Sequence, residues 1–178
     1  MMATRRVEIG PTGETVRANV ARVRNRQGLT LRDVADRLAG IGRPMAHNTV
    51  SEIERGARRV DVDDLMALAV ALGVSPVTLL MPAVHSVEPQ DDVESTGVAV
   101  PVPAERLWEW LTAEYPLFDM EFFEFAGRAW PGWVRERWTE RLNAARKKGL
   151  DGLYARVPPA ARPGWMSGSG EEVSSGDD

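Results

Sequence analysis

Residues 48–61, NTVSEIERGARRVD, set a short run of helix-forming spacing in front of a glycine and three arginines within five positions, Arg55, Arg58 and Arg59. With 100° per residue counted from Val50, Ala46, Val50 and Ile53 point inward. Asn48, Ser51, Glu52 and Arg55 then point outward, and His47 and Thr49 lie on the flanks. A helix with so compact a polar face fits the DNA major groove. There asparagine bonds adenine through two hydrogen bonds, glutamate accepts from cytosine N4, and serine or histidine meets several base edges. Arginines beside the end of such a helix neutralise phosphates and set its register without reading sequence. Any surface helix has a polar outer face, so the choice rests on the order and spacing of its neighbours.

Those neighbours read as short amphipathic helices from Gly13 to Met81, with no period-two strand. Val16, Val20, Val23 and Gln27 share one face of a first helix, which Gly28 ends. A second helix starts at Thr30, whose hydroxyl caps it while Asp33 reaches back in a capping box; Leu31, Val34, Ala35 and Leu38 form its apolar side. After the loop AGIGRPM the third helix spans 46–55. The fourth follows Asp61, with Val62, Leu65, Leu68, Ala69 and Leu72 inward and Asp63 and Asp64 at its positive end. A stop at Gly73, a cap at Ser75 and Pro76 in the first turn announce a fifth.

Charge is divided along the chain. Residues 1–82 hold twelve arginines, no lysine and nine acids, a net +3; residues 83–178 hold ten basic and seventeen acidic residues, a net −7. The first part is thus the part suited to nucleic acid. The absence of cysteine excludes disulfides and thiolate catalysis, and two histidines, His47 and His85, leave little for metal chemistry. No apolar run has signal-peptide or membrane-span length, and the expected location is cytoplasmic.

The string GLTLRDVADRL, followed by NTVSEIERGARRVDVDDLMALAVALGVSPVTLL, resembles the phage-repressor type (Xre-like) helix-turn-helix family over residues 13–82. The resemblance implies an all-α, five-helix DNA-binding domain whose motif pairs residues 31–41 with a recognition helix at 46–55. Carried over by position, it implies base reading by His47, Asn48 and Glu52, with Ser51 close enough to join. Arg32, Arg43, Arg55, Arg58 and Arg59 become phosphate contacts. Glu54 lies on the inner side of the third helix, and in this family that position pairs with an arginine of the first helix, here Arg24. Two departures stand out: Leu31 occupies the place of a phosphate-bracing glutamine, and Ala46 stands where a capping serine is usual, after a turn longer than the family's tight one.

Beyond Met81 the expectation is a linker at 83–104, with three prolines, four acids and no basic residue, then a helical aromatic-rich region at 105–157 and a disordered acidic tail at 158–178. Residues 1–12 read as a flexible N-terminus. Five of the six tryptophans fall between Trp108 and Trp138, a pattern that builds a small core more often than a binding site. The sharper reading makes Leu107, Leu111, Trp138 and Leu142 a dimer or partner surface. The layout resembles regulators of high-GC actinobacteria. The functional expectation is a sequence-specific, homodimeric transcriptional regulator on double-stranded DNA, with no cofactor, metal or membrane. The alternative is an antitoxin-like or phage-encoded adaptor that binds a protein through its aromatic region. An enzyme comes third, because no catalytic constellation can be assembled.

Overall fold

In the computed structural model, which describes residues 8–82 and 86–147, the chain divides between Thr112 and Ala113 into two compact units. The first unit opens with five helices: α1 (Pro11–Arg26), α2 (Leu31–Gly40), α3 (His47–Glu54), α4 (Val62–Leu72) and α5 (Pro76–Leu80). Val16, Val20 and Val23 of α1 meet Val34 and Leu38 of α2, Val50 and Ile53 of α3, Leu68 and Leu72 of α4, and Leu79 of α5 in one buried core. Helices this short are marginal in isolation, so this shared core and the end caps carry their stability.

The caps are mostly local and strong. At α2, Thr30 Oγ1 accepts from the Asp33 amide at 3.1 Å and the Thr30 amide donates to Asp33 Oδ2 at 2.7 Å, completing the capping box. Asp61 Oδ1 accepts from the Asp64 amide at 2.7 Å, and Ser75 Oγ from the Val77 amide at 3.3 Å. α3, like α1 behind Gly10, lacks such a cap: it begins at His47, and Ala46 in the cap position has no side chain to satisfy its first amides. One polar group works inside the core. Asn19 is buried on α1, and its Nδ2 donates to the carbonyls of Leu79 and Met81 at 3.0 and 2.8 Å, fastening the end of α5 to α1.

Residues 83–104, read above as a linker, contain a short hairpin and the start of a helix among turns and irregular chain in their described part. β1 (Asp92–Val93) pairs antiparallel with β2 (Val102–Pro103), and α6 (Ala104–Leu111) follows directly. Val93, Val102, Ala104 and Leu107 are buried, so the short valine-containing runs have a packing role that the prolines and acids obscured. The segment is laced to the first turn of α1: Thr12 N donates to Thr96 Oγ1 at 3.2 Å and Thr96 N to Thr12 Oγ1 at 2.9 Å. Accordingly α6 sits in the first unit, and the aromatic-rich region expected over 105–157 is divided. Residues 1–7, part of the expected flexible N-terminus, lie outside the described residues, as do 148–157 and the tail at 158–178.

In the second unit, α7 (Phe122–Ala129) and α8 (Gly132–Lys147) enclose an aromatic core. The Phe122 ring lies 5.5 Å from those of Phe123 and Trp130, 5.8 Å from Trp138 and 6.3 Å from Tyr115. Trp138 and Leu142 of α8 pack on it. Ala113 takes a left-handed conformation at φ 57°, and its carbonyl receives the indole N–H of Trp130.

Replacing Thr30 with alanine should lower unfolding free energy by about 1 kcal/mol, as for other N-cap deletions, measured by urea denaturation. Hydrogen bonds from the Thr30 amide and hydroxyl hold the Asp33 carboxyl below its ordinary value. The box therefore contributes fully above the unfolded aspartate pKa, about 3.9, and is lost as pH falls through the folded value. The Thr30→Ala deficit should shrink on acidification.

Candidate nucleic-acid interface

The α3 face is set by its two fully buried residues, Val50 and Ile53. With these inward, His47, Asn48 and Glu52 are exposed and Ser51 is half-buried, so the four residues share one side of a single eight-residue helix. Gly56 ends it at φ +71°, with the Ala57 amide returning to the Glu52 carbonyl at 2.8 Å. A side chain at this left-handed position would be strained, and its Cβ would sit 3.3 Å from Arg17 Cδ.

Two arginines of α1 hold the end of α3. Arg24 Nε donates to Glu54 Oε1 at 2.6 Å and its Nη2 to Glu54 Oε2 at 2.8 Å, a two-pronged pair with only 15% and 11% of the side chains exposed. Arg24 also donates from Nη1 to the Leu29 carbonyl at 2.9 Å. The hydrogen bond to Glu54 raises the Arg24 pKa above its already high value, against the effect of burial. Seven residues earlier on α1, Arg17 Nη1 donates to the Glu54 carbonyl at 3.3 Å.

The turns on either side of α3 are joined through α4. Asp64, buried at 3% side-chain exposure, accepts from Arg43 Nη2 on Oδ1 and from Arg58 Nη2 on Oδ2, both at 3.1 Å. This pairing raises the Arg43 pKa, chiefly through the hydrogen bond to Asp64. Both arginines keep 46% of their side chains exposed. Arg55 is exposed and turns its Nε to the Ser51 carbonyl at 3.2 Å; Arg59 donates from Nε to the Glu8 carbonyl at 2.6 Å. Arg32, at the start of α2, is exposed as well.

Asp64, Arg17 and Asn19 were missed as determinants. The signal for Asp64 lay in its spacing, since it stands four residues before Leu68 and so on the inner side of α4. The dimer or partner surface needs a correction. Leu107 is 1% exposed, on a helix that packs against the β1–β2 hairpin, and is unavailable to a partner. Leu111 is half-buried in the first unit, whereas Trp138 and Leu142 are half-buried in the core of the second.

Residues 17–80 match a family model described as a helix-turn-helix domain, which supports a helix-turn-helix DNA-binding domain in this part of the chain. No curated protein and no solved structure matches the chain. Among the described residues, no helix is long and apolar enough to cross a membrane, and no three His, Cys, Asp or Glu side chains are grouped to hold a metal ion.

Changing Glu54 to alanine would strand a mostly buried guanidinium. It should cost about 3 kcal/mol, the low end for breaking a buried pair, because both partners retain some exposure. A shift in urea midpoint with unchanged slope would report it; a variant as stable as the parent would deny the pair a structural role.

Proposed function

We propose that the chain is a sequence-specific transcriptional regulator of phage-repressor type, which lays α3 in the major groove of double-stranded DNA as a homodimer. The observation that carries this reading is the compact polar face of α3, with His47, Asn48, Ser51 and Glu52 together, inside the segment that matches the helix-turn-helix family. In this reading Asn48 and Glu52 read base edges with help from His47 and Ser51. Arg32, Arg43, Arg55, Arg58 and Arg59 contact phosphates. The first amides of α3, left without a side-chain cap at Ala46, add donors suited to a phosphate oxygen. A two-fold dimer would take pseudo-palindromic half-sites about 10 bp apart, one turn of the duplex.

A second reading makes the protein an adaptor that also binds a protein. It draws on Phe118, Phe123 and Trp133 of the second unit, all roughly half exposed although aromatic.

Selection from a random duplex pool with the full-length protein should enrich one palindromic motif; no enrichment would remove the regulator reading and leave the adaptor. On the selected site, Asn48→Ala should change base preference at one position of each half-site and leave the salt dependence alone. Arg55→Ala should weaken all sequences alike and flatten the log–log salt slope by about 0.9 per half-site.

A further inference from the structure

Beside the start of α1 lies an open cleft of about 480 Å³ whose lining includes Arg17, Arg58 and Arg59, with Glu8, Ile9 and Val60. Three arginines from two separate parts of the chain therefore line one cleft with the carboxylate of Glu8, while Glu14 and Asp64 pair with Arg17 and Arg58. Arg17 is held on both edges of its fork, its Nη2 also pairing with Glu14, and Arg58 and Arg59 are held on one edge each. Arg17 Nε donates to Glu14 Oε2 at 2.6 Å and its Nη1 to the Glu54 carbonyl; Arg58 Nη2 is held by Asp64; Arg59 Nε is held by the Glu8 carbonyl. A guanidinium carries five N–H donors, so each retains donors beyond those that fix it. Side chains already held in place lose little freedom when an anion joins them.

We propose that this cleft is a phosphate-binding site in which Arg17, outside the helix-turn-helix motif itself, acts with Arg58 and Arg59. Forked guanidiniums match the geometry of phosphate oxygens, and Ile9 and Val60 add apolar surface to the cleft wall. The phosphate comes either from the DNA backbone or from a free phosphate compound. The first source rests on the DNA-binding reading and the second does not.

The test uses the full-length protein, Arg17→Gln and Arg59→Gln, with circular dichroism to verify that all three are folded. Pyrophosphate is titrated by calorimetry in low-salt buffer, and affinity for the selected duplex is followed against salt concentration. Saturable pyrophosphate binding that is lost in both variants supports the site with a free phosphate as its ligand. No pyrophosphate binding, but a log–log DNA slope flattened by about 0.9 per site in Arg17→Gln, supports it with the DNA backbone as ligand. If the variants match the parent in both measurements, the site is overturned while DNA binding by the parent leaves the regulator reading intact. If the parent takes up pyrophosphate through these arginines yet binds no duplex, the regulator reading fails and the site stands. Arg59→Gln guards against misreading a folding defect, because it removes no contact to α3.

Discussion

The exposed face of α3 is set by the burial of Val50 and Ile53 and braced where Arg24 holds Glu54. An eight-residue helix with two buried side chains and no N-terminal cap is far below the length at which a helix persists alone. Val50 and Ile53 keep it against the core through apolar contact, which is not directional. The two-pronged pair adds a directional contact at the last turn, and Arg17 on the Glu54 carbonyl reinforces it from the same helix. Desolvation makes such a pair a weak source of net stability, so its main contribution here is orientation.

Asp64 does for the flanking turns what Glu54 does for the helix. A lone buried carboxylate is costly; shared between two guanidiniums, one from the turn before α3 and one from the turn after it, it becomes a bridge. The consequence is electrostatic as well as geometric. One negative charge sits behind two positive ones, so the surface beside α3 carries less net charge than its arginine content suggests, and what remains is held in place.

The helical order was legible because its signals are local: the Thr30–Asp33 box, Gly28, Asp61 and Ser75 each act within a few residues, and apolar spacing decides the inner face. The outward direction of His47, Asn48 and Glu52 follows from the same periodicity. Contacts across long separations were not legible from spacing. Arg24 and Glu54 lie thirty positions apart and were paired through family resemblance alone, while the bridge at Asp64 was overlooked because acids at a helix start already have a local explanation in the dipole. The β1–β2 hairpin has two residues per strand, too few to show alternation, and its ties to α1 span 84 positions. α7 lies within the region expected to be helical, and its Phe122, Phe125 and Ala126 stand at helical spacing and are buried.

The use of arginine throughout residues 1–82, with no lysine, follows from the double duty these side chains perform. Arg43, Arg58 and Arg59 each spend one edge of the fork on a protein acceptor and stay exposed along the rest. A lysine ammonium in the same place is a compact point charge; drawn to Asp64 it would turn away from solvent, and drawn to a solvent anion it would release Asp64 into an unpaired buried state. Planar guanidiniums avoid that choice, because their donors are spread over two edges that face different ways. A domain this small, with a short helix to brace and an exposed basic surface beside it, meets both demands with one set of residues because those residues are arginines.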